Sequence, residues 1–92
     1  MNEVQIHWIE GNCPVQAEGC IGEELFYFRA RGNRWRIEVG NSTVEPIWTC
    51  EVTYGIDRFA AGWMDKEEVI SFIYMAADIY FKSKVKENSN DY

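Results

Sequence analysis

The chain has few of the residues from which active sites are commonly assembled. Its 92 residues include one histidine, His7. A Ser–His or Cys–His pair would therefore have to use His7, and nothing in the sequence places a nucleophile beside it. No glycine-rich phosphate loop precedes the C-terminal helical pattern, because Ala61-Gly62-Trp63-Met64 is too bulky to cradle phosphates. The three cysteines, Cys13, Cys20 and Cys50, match none of the paired spacings of zinc sites, with or without His7. Catalysis, a metal and a cofactor are accordingly not expected. An odd, sparse cysteine set also argues against a disulfide-stapled secreted domain. No segment approaches the roughly 18 consecutive apolar residues of a membrane span, and Met1–Gln5 lacks the basic-then-apolar pattern of a signal peptide. The expectation from these absences is a cytoplasmic protein. Positive charge is scarce too: the net charge is −6, which argues against general nucleic-acid binding and against anionic membranes.

Apolar and aromatic residues, by contrast, are plentiful. Hydrophobic residues make up 47% and aromatics 15% of the chain, enough to give one small domain a rich core. Glu3–Ile9 alternates, with Val4, Ile6 and Trp8 on one side and Glu3, Gln5 and His7 on the other, and reads as a strand. Glu10–Pro14 is a turn by composition. Val15–Cys20, Leu25–Arg31 and Arg34–Val39 read as three further strands, separated by Gly22-Glu23 and Gly32-Asn33. Glycine first in a two-residue loop is what a type II′ hairpin turn requires, and the register then follows. Across Gly32-Asn33, Arg31 faces Arg34 and Phe26 faces Val39. Across Gly22-Glu23, Gly19 faces Phe26 and Gln16 faces Arg29. Both hairpins put Phe26, Phe28 and Ala30 on the same side as Val15, Ala17, Trp35, Ile37 and Val39. A slip of one residue in either would mix the faces.

Asn41–Pro46 reads as a loop and Ile47–Tyr54 as another alternating strand, with Trp48, Cys50, Val52 and Tyr54 on one side. After a connection over residues 55–64, Asp65 caps a helix over about 66–84, with Glu68 placed as in a capping box. Val69, Phe72, Ile73, Ala76, Ile79 and Tyr80 form its apolar stripe. Trp63 is positioned to staple the helix to the sheet, and residues 87–92 are expected to fray. The predicted fold is α+β: a four- to five-stranded antiparallel meander with one C-terminal helix packed on one face. The place of the first strand in the order is left open.

The opposite face of the meander carries the unusual feature. Four of the chain's five arginines, Arg29, Arg31, Arg34 and Arg36, fall within eight residues, and the register puts them on one side with Gln16, Glu18, Tyr27 and Glu38. Like charges directly opposite one another cost about 0.2–1 kcal/mol per pair. Either Glu18, Glu38 and acids of residues 49–53 or of the loops neutralise the cluster as surface ion pairs, or the face awaits an anion. Arginine suits the latter because its planar fork grips carboxylate and phosphate bidentately. The remaining surface is strongly acidic, with Glu10, Glu23, Glu24, Glu45, Glu51 and Asp57 mostly in or near loops. Those acids are solvated surface, or they face a basic partner.

Val15-Gln16-Ala17-Glu18-Gly19, Phe26-Tyr27-Phe28-Arg29-Ala30-Arg31, Trp35 and Ala61-Gly62-Trp63-Met64 together resemble short uncharacterised proteins of phages, prophages and mobile elements, over about residues 14–80. That resemblance implies a context in which small acidic proteins inhibit host defence, anti-CRISPR proteins among them, by occupying a surface of a large bacterial complex. The expected function is non-catalytic protein–protein interaction in the host cytoplasm, by a monomer or weak homodimer. The expected contact residues are Arg29, Arg31, Arg34, Arg36, Tyr27, Glu18 and Glu38. The rival expectation is a binding module whose arginine face holds a phosphate-bearing ligand or nucleic acid.

Overall fold

The computed structural model describes residues 3–40, 47–55 and 60–88, with side chains described to residue 83. Five strands run β1 (Val4–Glu10), β2 (Val15–Ile21), β3 (Glu24–Arg31), β4 (Arg34–Val39) and β5 (Trp48–Thr53). They pair in chain order as one antiparallel meander, β1-β2-β3-β4-β5. A single 3-10 turn at Ala60–Trp63 leads into the helix α1 (Lys66–Asn88). The expected α+β meander with one C-terminal helix is thus the observed fold, with β1 joining as the edge strand beside β2.

The two glycine turns set the central register. Gly22 and Gly32 adopt φ of +62° and +64°, whereas Glu23 and Asn33 do not share the positive φ, as a type II′ loop demands. Ladder partners accordingly run from Val15↔Ala30 to Ile21↔Glu24 on one side of β3. On its other side they run from Phe26↔Val39 to Arg31↔Arg34. Every partner expected from the turns is observed. The inner residues Val15, Ala17, Phe26, Phe28, Ala30, Trp35, Ile37 and Val39 are buried.

The helix closes this inner face. Asp65 Oδ1 accepts the Glu68 backbone N–H at 2.9 Å, the N-cap expected for that residue. The Glu68 carboxylate instead accepts the Tyr54 hydroxyl at 2.7 Å, which ties the first helical turn to the end of β5. Val69, Ile73, Ala76, Ala77 and Tyr80 are buried. Each large side chain among them contributes about 1.5–3 kcal/mol of burial. Aromatic rings knit the layers, with Trp35 5.6 Å from Phe28 and 5.0 Å from Phe72, and Trp48 5.4 Å from Tyr80.

Several expectations are corrected. Ile79 is 45% exposed; the stripe turns through Ala77 instead, because Ile79 lies beyond the arc that Val69, Ile73, Ala76 and Tyr80 press on the sheet. Trp63 does not staple the helix. It is 66% exposed while Met64 is buried, since the 3-10 turn points Ala61 and Gly62 inward. The helix runs on through Asn88, past the expected end near 84, so residues 87 and 88 are helical. Residues 89–92, and the loop expected over 41–46, lie outside the described residues. Trp8 does not share the face of Val4 and Ile6. The ladder shifts by one residue between Ile6, opposite Gly19, and Trp8, opposite Glu18. This β-bulge at His7 keeps Ile9 against the core opposite Ala17 and turns Trp8 to the open side.

Candidate functional site

The face of the sheet away from α1 has no covering element among the described residues. Residues directly opposite on an antiparallel sheet share a face, so the ladders define its rows. One row reads Glu10, Gln16, Arg29, Arg36, Glu51 from β1 to β5. The next reads Trp8, Glu18, Tyr27, Glu38, Thr49. Arg31 and Arg34 sit beyond the first row at the β3–β4 hairpin. All seven expected contact residues therefore lie on one face. Trp8 and Glu51 join them.

The hairpin that carries the arginines is anchored from below. Its Gly32 carbonyl accepts Ala61 N–H at 2.9 Å and its Asn33 carbonyl accepts Tyr54 N–H. The 3-10 turn that supplies Ala61 is itself pinned, since Gly62 O accepts Cys13 N–H at 2.8 Å. A Cβ at Gly62 would come within 2.7 Å of Cys13 Sγ, so only glycine fits that close approach. The turn backbone is held by the fold, and the charged side chains stand free of it.

The four guanidinium groups are not equivalent. Arg34 Nη1 lies 2.9 Å from Glu51 Oε2, and Arg36 Nε lies 2.9 Å from Glu38 Oε2, with Arg36 Nη1 3.6 Å from Glu51 Oε1. The hydrogen bond that Arg36 donates to Glu38, assisted by the charges of Glu38 and Glu51, pushes the Arg36 pKa up against the opposing effect of burial. Glu51 thus bridges two β4 arginines from the middle of β5, not from a loop. Arg29 and Arg31 on β3 form no ion pair among the described residues. Their strand explains this. Arg29 stands between Gln16 and Arg36, and the Gln16 side-chain oxygen is taken by the Tyr27 hydroxyl at 2.6 Å. The result is an open depression of about 430 Å³, bordered by Tyr27, Glu38, Glu51, the four arginines and the hairpin turn.

Cys20 and His7 also lie on this face, with Sγ 3.9 Å from Nε2. Cys50 of β5 is half-buried on the opposite, inner face, where desolvation pushes its thiol pKa up. The described residues contain no cluster of three metal-type donors, and no described helix is long and apolar enough to cross a membrane. Sequence reasoning missed Trp8. The signal was Ile9, which an unbroken strand with Val4 and Ile6 facing inward would turn away from the core.

Comparison with protein-family models, curated proteins and solved structures finds no match to this chain. The functional reading of the face rests on its own residues.

Proposed function

We propose that this is a non-catalytic interaction protein that docks a protein partner through the open face of its sheet. The observation that carries the reading is the juxtaposition of Trp8, Tyr27 and four arginines on an uncovered, backbone-anchored surface. Tryptophan, tyrosine and arginine dominate the energetics of protein interfaces. Five strands at about 4.8 Å spacing and about seven residues in length give a face of some 500 Å² in projection. That is the scale of a standard interface core, where each partner contributes about 800 Å² of accessible surface. The resemblance to phage-type proteins supplies a context: an inhibitor of the anti-CRISPR kind that occludes a surface of a bacterial defence complex.

The rival reading, a phosphate-bearing ligand or nucleic acid on the same face, is favoured by Arg29 and Arg31, which form no ion pair among the described residues. It is opposed by Glu10, Glu18, Glu38 and Glu51, which are interleaved with them across the ladder rows. A nucleic-acid backbone draws its affinity from uninterrupted phosphate neutralisation, and this mosaic interrupts it.

The deciding experiment is affinity purification from a bacterial host, comparing the wild type with R29E/R36E on the open face and S71E on the helix. A fixed-stoichiometry protein complex should survive S71E and be lost in R29E/R36E. Equal retention by both variants, or a free oligonucleotide held at micromolar concentration, would sink the reading.

A further inference from the structure

Resting on that docking reading, we infer that the anchor of the face is Arg29 with Arg31, and that they take two carboxylates at alternate positions of an extended acidic segment of the partner. The inference begins from the unequal state of the four guanidinium groups. The β4 pair is already engaged by Glu38 and Glu51 at 2.9 Å. The β3 pair is exposed, has no ion-pair partner among the described residues, and faces like charge across the ladder at Arg36 and Arg34. An incoming anion therefore finds two unsatisfied forks and relieves two like-charge oppositions at once.

Geometry selects the ligand. Arg29 and Arg31 are separated by one residue on the same strand, so their Cα atoms stand about 6.5–7 Å apart and their side chains leave the same face. An extended peptide repeats its own side chains with the same period. Glutamate or aspartate at positions i and i+2 thus meets both guanidinium groups without bending either chain, each pair bidentate. The hairpin carbonyls are held by Ala61 and Tyr54, so docking orders side chains only, which limits its entropic cost. A continuous polyanion would run on from this pair toward Glu18 and Glu38. A peptide with carboxylates at alternate positions leaves the intervening and flanking residues free to be neutral there.

The test titrates the full chain with three probes at low and physiological salt: a Ser-Glu-Ser-Glu-Ser peptide, inorganic phosphate and a short oligo-dT. Binding is followed by the arginine Nε–Hε NMR resonances. The alternating peptide should move Arg29 and Arg31 more than Arg34 and Arg36. The R29Q/R31Q variant should weaken it at least tenfold, and R34Q by no more than twofold. Since R29Q/R31Q removes like-charge opposition, it should fold, and its melting curve checks this. Tighter binding of phosphate or oligo-dT, equal effects of R34Q and R29Q/R31Q, or no response to the peptide overturns the clamp. If the clamp fails in this way while R29E/R36E still abolishes co-purification, the docking face stands without it. If R29E/R36E leaves co-purification intact, the face itself is wrong.

Discussion

The two faces of this sheet share a backbone and divide its chemistry. On the inner face, Ala17, Phe28, Trp35 and Ile37 are buried to completion or nearly so, and identity is dictated by shape. One residue along each strand, the outer face carries like charges opposite each other, which packing does not require and electrostatics disfavours. The difference teaches that stability resides on one side and that the other is free to be selected for contact.

The comparison breaks most severely at Trp35. Trp35→Ala should cost about 3–5 kcal/mol in urea unfolding, from lost burial and the cavity left between Phe28 and Phe72. Its outer neighbour Arg36, changed to Ala, should cost less than about 1 kcal/mol, the range of exposed ion pairs. Comparable losses at both positions would erase the distinction. Trp35→Phe should be milder than Trp35→Ala, since the phenyl ring fills most of the cavity while both changes remove a buried indole N–H that has no acceptor among the described residues.

Gly19 sharpens the boundary between faces. A Cβ there would collide with the Gln5 carbonyl oxygen and the Phe26 ring. Gly19→Ala should therefore destabilise by about 1–3 kcal/mol through overpacking, and amide exchange should accelerate in β1 before β3. Uniform protection across both strands would contradict this.

Tyr54 gives a pH handle on the helix side. Its hydrogen bond to Glu68, reinforced by desolvation and by the charges of Glu68 and Asp65, raises its pKa above the usual value of 10.0. A folded-state pKa raised above the unfolded one contributes stability that is complete below the unfolded value and is lost as pH rises through the folded value. Tyr54→Phe should thus cost about 1 kcal/mol near neutrality, and its deficit against the wild type should shrink above about pH 10. Denaturant midpoints at pH 7, 9 and 11 measure it; a constant gap would count against the linkage.

The smallest effect belongs to the open face. Arg29→Thr removes the like charge opposite Arg36 and adds a β-branched residue, so stability should change by less than about 1 kcal/mol and in the favourable direction. A larger loss from Arg29→Thr than from Arg36→Thr, seen in parallel melts, would mean that Arg29 already serves the fold.

The central three strands were legible because Gly22 and Gly32 force two-residue loops, which leave no freedom in register. Two independent hairpins then agree on which residues face inward. The outer strands were harder to read. Val4, Ile6 and Trp8 alternate cleanly, so the sequence conceals the extra residue at His7 until Ile9 is required to pack on Ala17. The partition of the arginines into engaged and open pairs depended on Glu51. Its position opposite Arg36 follows from the β4–β5 register, and the segment 40–47 that separates these two strands in the sequence is too long to dictate it as the two-residue loops at Gly22 and Gly32 do. Trp63 misled because a large apolar residue before a cap suggests a staple, whereas burial fell to Met64, one position on.

The irregularity in β1 also bears on how copies of this molecule meet at high concentration. A sheet of five strands in meander order has two borders, β1 and β5, and among the described residues each offers unmatched peptide groups to a stray chain. The extra residue near His7 interrupts that offer on one border and increases the local twist. Border-to-border growth into filaments needs both sides to be receptive, and here one of them is spoiled by its own geometry.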